Sequence, residues 1–94
     1  MAANLLKSAF VALRKAELKD LSPSDKSIVS TALKKLETIS RSLNSLNPLS
    51  DDDVAARLGA VASALTNCND KDLKRDIGFE VSQAAAIFNT LSLS

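Results

Sequence analysis

Cys68, Glu80, the acidic run Asp51-Asp52-Asp53 and the stretch Asp70-Lys71-Asp72-Leu73-Lys74-Arg75-Asp76 are the places in this 94-residue chain where reactive or ligating side chains gather. None has the company that catalysis needs. The chain has no His, so Cys68 has no imidazole to take its proton and no His-containing zinc site can form. The thirteen Ser likewise lack a His partner, and no G-x-S-x-G elbow occurs. Gly59 and Gly78 stand singly within helical pattern, which excludes a phosphate-cradling loop and a dinucleotide fingerprint. Cys68 falls on an apolar stripe, where a small thiol is expected to pack rather than react.

The acids read as helix chemistry. Consecutive helical carboxylates point in different directions, so Asp51, Asp52 and Asp53 suit the positive end of a helix dipole better than a cation. The stretch from Asp70 to Asp76 has Lys74 and Arg75 where a calcium loop requires an oxygen ligand and Gly. Glu80 is the awkward acid: a helical wheel places it inside an apolar arc between Leu73 and Ile87. There it needs a cation such as Arg57, a raised pKa, or a route to the edge of the fold. Ser22 before Pro23 and Ser50 before three acids resemble kinase sites, but helix capping accounts for both.

The elements that must position these residues are helices. Ser22-Pro23-Ser24-Asp25 supplies a capping hydroxyl, a proline at the first helical position and an early carboxylate, and Ser50-Asp51-Asp52-Asp53 repeats that chemistry. Asn69 or Asp70 opens a further helix, and Asn47-Pro48 closes one. These signals predict helices over about Ala3 to Asp20, Pro23 to Leu46, Asp51 to Asn67 and Lys71 to Leu91, with no strand. Apolar residues recur at spacings of three and four: Leu6, Ala9, Leu13 and Ala16; Val29, Ala32, Leu36, Ile39, Leu43 and Leu46; Val54, Leu58, Val61, Leu65 and Cys68; Leu73, Ile77, Val81, Ala84, Phe88 and Leu91. Short connections make neighbours antiparallel. The expected fold is all-α, an antiparallel four-helix bundle in a single domain over 1–94, made of hairpins 3–46 and 51–91.

The two hairpins also resemble each other. Sliding residues 1–42 over 53–94 without gaps matches thirteen positions, including Leu6/Leu58, Leu13/Leu65, Lys19/Lys71, Asp20/Asp72, Leu21/Leu73, Val29/Val81 and Ala32/Ala84. Composition alone predicts about four matches and shared helical period about six. A duplicated helical hairpin fits this excess, with each copy covering the apolar face the other leaves bare.

Two surfaces invite contact. Between Val54 and Asn69 the only charge is Arg57, and the outer side of the third helix carries Ala56, Gly59, Ala60 and Ser63. Such small residues let another helix come close. The fourth helix projects Phe79 and Ala86 away from its core stripe, with Gln83 and Thr90 beside them. A large exposed aromatic in a chain with only three Phe and no Trp or Tyr is an anchor candidate. The expectation is self-association through the third and fourth helices, a twofold homodimer being the most economical form, in an interaction or adaptor module with an unidentified protein partner as well.

The alternative is sequence-nonspecific binding of duplex RNA or DNA. Residues 1–47 hold eight Lys/Arg against four Asp/Glu, and residues 48–94 hold four against seven, giving +4 and −3 and hence the net +1. Lys7, Arg14, Lys15, Lys19, Lys34 and Arg41 project from the first two helices among Ser and Thr hydroxyls, a combination suited to phosphate contacts. No cation run exceeds two and no aromatic platform is present, so single-strand recognition is not expected. The longest apolar runs are five residues or fewer, too short to span a bilayer. The segment Met-Ala-Ala-Asn-Leu-Leu-Lys lacks a secretory signal's basic start, and its faint transit-peptide character is explained by an amphipathic first helix. The chain is therefore expected to be non-enzymatic, without cofactor or metal, away from membranes and intracellular, in the cytoplasm.

Overall fold

The computed structural model describes residues 2–93, with side chains from Asn4 onward; Met1 and Ser94, the outer residues of the 1–94 domain, lie outside that description. Four helices follow in order: α1 (Ala2–Ala16), α2 (Pro23–Leu43), α3 (Asp51–Leu65) and α4 (Gly78–Ser92), the last preceded by a π-helical segment, Asp72–Ile77. No strand occurs among the described residues. Neighbours pack in a ring, α1 on α2, α2 on α3, α3 on α4 and α4 on α1, so the molecule is a four-helix bundle about 40 × 22 × 19 Å.

The helix starts form as their sequences dictate. Ser22 Oγ accepts from the Asp25 amide at 3.2 Å with Pro23 in the first turn, and Ser50 Oγ accepts from the Asp53 amide at 3.2 Å. Asp70 Oδ1 accepts from the amides of Asp72 and Leu73 at 3.0 and 3.2 Å, which makes Asp70 the cap of the final helical run. Along the bundle axis Ala9, Leu13, Val29, Ile39, Val54, Leu58, Leu65, Leu73, Val81 and Ala84 are fully buried. The core is aliphatic, with Phe88 its only well-buried ring.

Helix ends differ from the expected ones. α1 stops at Ala16 because the chain tightens, Leu18 and Lys19 donating three residues back to Lys15 and Ala16, which returns Leu21 to the core. α2 ends at Leu43, where Asn44 donates from its side chain to Ser40 O and Ser45 Oγ donates to Ser42 O. Leu46, expected on the core stripe, is therefore 99% exposed, and Leu43 and Leu91 also lie open at helix ends. Periodicity continues past the point where another helix is there to cover it.

At the start of α4 the π segment replaces expected α-helix. Gly78 donates to Leu73 O, five residues back, and a Cβ at Gly78 would stand 3.3 Å from that oxygen and 3.7 Å from Leu65 Cβ. Glycine thus lets the wide turn close and lets α3 approach it. The extra residue in this turn shifts the side chains that follow.

Burial repeats at the spacing the sequence comparison found. Leu6/Leu58, Ala9/Val61, Leu13/Leu65, Ala16/Cys68, Leu21/Leu73, Asp25/Ile77, Val29/Val81, Ala32/Ala84 and Leu36/Phe88 are buried in both members of each pair. Eight of the nine are apolar on both sides. The exception, Asp25, ties the hairpins together.

Candidate interaction surface

Asp25 begins as a helix-start carboxylate and ends as a buried clasp. Its side chain is turned from its own helix toward the α3–α4 connection and is only 2% exposed. Oδ1 and Oδ2 accept from the Asn69 amide at 3.0 and 3.1 Å, and Oδ2 accepts from the Asp70 amide at 3.0 Å. Both hairpin turns are thereby fixed at one end of the bundle. Lys19 adds an exposed contact there, donating to Asp72 Oδ2 at 2.8 Å and lying 3.9 Å from Asp70. The Asp72 hydrogen bond raises the Lys19 pKa, and Lys19 lowers that of Asp72. The local sequence marks Asp25 only as a helix-start carboxylate, since nothing near it signals an acceptor for amides 44 and 45 residues away.

Cys68 packs beside this clasp, 3% exposed. Burial first, then the negative charges of Asp25 and Asp70, push its thiol up to about 11. It is the poor nucleophile that its place on the stripe implied. Glu80 is half-buried, and its Oε2 is enclosed without a hydrogen-bond partner. Arg57 is not its counterion: Arg57 lines the opposite, α2-facing side of α3 with Lys35, Ala56 and Ala60.

The outer side of the α3/α4 seam gathers five of the eight expected contact residues onto one face. Ala56, Gly59 and Ser63 on α3 and Phe79 and Ala86 on α4 are exposed, Phe79 by 61%, whereas Ala60, also exposed and expected on this face, is turned toward α2 beside Lys35 and Arg57 because it lies one residue further around the helix than Gly59. Two open grooves run end to end along the seam and share Ala85. The first, ≈ 460 Å³, lies between Gly59, Ser63 and Thr66 of the α3 end and Lys74, Arg75, Phe79 and Ser82. The second, ≈ 350 Å³, is lined by Asp52, Ala55, Ala56, Ala85, Ala86 and Asn89. One end of the seam is therefore basic and the other acidic, and none of Lys74, Arg75, Asp51, Asp52 or Asp53 forms an ion pair among the described residues. Gln83 and Thr90 are also exposed but line neither groove. Lys74, Arg75, Ser82, Ala55 and Ala85 complete the two linings: Arg75 and Ser82, four residues before and three after Phe79, share its side of the helical run, whereas Ala55 and Ala85 meet only through the register in which α3 and α4 pack.

The six basic residues of α1, α2 and their connection are all exposed but are not equally available. Lys19 is held by Asp72, and Arg41 pairs with Glu37 one turn away. Arg14 lies over the Phe10 ring, 5.6 Å from its centre. Lys7 borders a separate apolar cleft, ≈ 330 Å³, between Leu6 and Phe10 of α1 and Leu36 and Leu43 of α2. Lys15 and Lys34 complete the set, so phosphate would meet scattered heads rather than one patch.

No described helix is long and apolar enough to cross a membrane. Comparison with models of protein families, with curated proteins and with solved structures finds no match for this chain.

Proposed function

We propose that this protein is a non-enzymatic interaction module that self-associates through the outer face of α3 and α4. The observation that carries the reading is Phe79, 61% exposed at the mouth of a groove whose floor is Gly, Ala and Ser. Burying a Phe side chain contributes roughly 1.5–3 kcal/mol, so an uncovered ring beside a small-residue groove offers a large gain on association. A face without bulky side chains lets a second backbone come close, where dispersion contacts accumulate. Its size sets the strength. Fifteen residues of each helix make a face about 22 Å by 20 Å, or roughly 400 Å² per copy, below the ~800 Å² per partner of standard interfaces. A face of that size suits weak, exchangeable association.

The repeated burial pattern supports the companion reading of a duplicated hairpin, in which the second copy acquired this outer face while the first retained its cations. Phosphate binding by the first pair of helices is the weaker reading, because carboxylates already occupy Lys19 and Arg41.

Light scattering across a concentration series tests the proposal. The native chain is expected to move from about 10 to about 20 kDa in the micromolar range, and Phe79→Asp to stay monomeric with unchanged helicity. A native chain that is monomeric at several hundred micromolar defeats it. Salt-sensitive retention of a short duplex, lost on Arg14→Glu with Lys15→Glu, would favour the phosphate reading instead.

A further inference from the structure

The seam carries its own docking register. α3 and α4 run antiparallel, and Gly78 approaches Leu65. Together with the two groove linings, this sets Thr66 near Lys74 and Arg75, Ser63 near Phe79, Gly59 near Ser82, Ala56 near Ala86 and Asp52 near Asn89. Gly59 and Ser82 are the midpoint of that ladder. At 1.5 Å per residue, Phe79 lies about 4.5 Å to one side of it, and Ala85 and Ala86 lie about 4.5–6 Å to the other. Lys74 and Arg75 lie about 11 Å to the first side, and Asp52 about 11 Å to the second.

Resting on the self-association reading, we infer that two copies meet face to face about a twofold axis crossing the helices at the level of Gly59 and Ser82, so that each Phe79 enters the other copy's Ala55/Ala56/Ala85/Ala86 groove. The same operation brings each basic end, Lys74 and Arg75, onto the other copy's acidic end at Asp51 and Asp52. Two independent complementarities, ring into trough and cation onto anion, are thus satisfied by one axis, and isologous contact requires that each be made twice. The face that supplies the knob also supplies the hole. Gly59 falls where the two backbones come closest, and in the single chain nothing lies within 4 Å of the Cβ it lacks. An axis parallel to the helices would instead oppose like charge to like charge at both ends, a cost that selects against it.

Charge exchange decides the register. Lys74→Glu with Arg75→Glu, and separately Asp51→Lys with Asp52→Lys, each oppose like charges twice and are expected to weaken self-association at least tenfold. An equimolar mixture of the two variants restores opposite charge at both ends and is expected to form a heterodimer at native affinity, read by sedimentation with one variant labelled. Ala86→Trp, at an exposed position that leaves the fold intact, fills the trough and is expected to abolish dimerisation. If the native chain dimerises while both charge variants and Ala86→Trp dimerise equally well, the register is wrong and self-association stands. A native chain that never dimerises overturns both.

Discussion

Asp25 shows how one buried polar side chain can join the two halves of a fold. Its two oxygens serve three amide hydrogen bonds from Asn69 and Asp70. Hydrogen bonds to charged groups are among the stronger kind, and losing the acceptor strands the donors. Asp25→Ala is expected to cost about 3 kcal/mol in urea unfolding, whereas Asp20→Ala, at an exposed neighbour, changes stability by less than about 0.5 kcal/mol. Cys68 gives the same region an alkaline limit. Its thiol sits at about 11 in the folded chain against an ordinary 9.0, so folding favours the protonated form. The unfolded chain loses that proton first, and the contribution to stability is full below pH 9 and falls as pH rises toward 11. Unfolding at pH 7.5 and 10.5 should show a larger alkaline loss for the native chain than for Cys68→Ala. At pH 8 an aromatic disulfide reagent should label Cys68 only as fast as the chain opens.

The two glycines divide the work of the second hairpin between folding and contact. Gly78 sits where a Cβ would press on Leu73 O, so Gly78→Ala should destabilise the chain by about 1 kcal/mol. Gly59 has open space around it in mid-helix, where Ala is intrinsically better by about 0.8–1 kcal/mol. Gly59→Ala is therefore expected to raise the melting temperature of the isolated chain and to weaken self-association. A thermal melt at low concentration, paired with sedimentation at high concentration, separates the two. Stabilisation without weaker association would remove Gly59 from the contact.

For the whole molecule, the bundle places unlike chemistry on opposite faces. The +4 half covers one side of the core and the −3 half the other, while the acidic and basic ends of the α3/α4 seam stand about 22 Å apart. Ring closure from α4 back to α1 leaves that seam as a joint between packed helices rather than an unfilled core. Covering it is therefore optional for folding, which is what an exchangeable contact requires.

Helix identity, capping and the inward stripe were set locally: Ser22, Pro23, Ser50 and Asp70 carry their start signals in their own neighbourhood, and Leu13, Val29, Leu58 and Val81 announce burial by spacing alone. The outward, charge-poor character of Ala56, Gly59 and Ala60 was equally legible, since a helix has only one core-facing side. What required the assembled bundle was everything that depends on a residue far along the chain. Leu46 is on the stripe yet uncovered because α2 ends at Leu43; the Asp25 carboxylate reaches across because the second hairpin's amides arrive beside it; Ala55 and Ala85 border one groove because α3 and α4 pack at that height. Periodicity specifies direction around one helix axis, whereas height along a neighbour is fixed only when the helices pack.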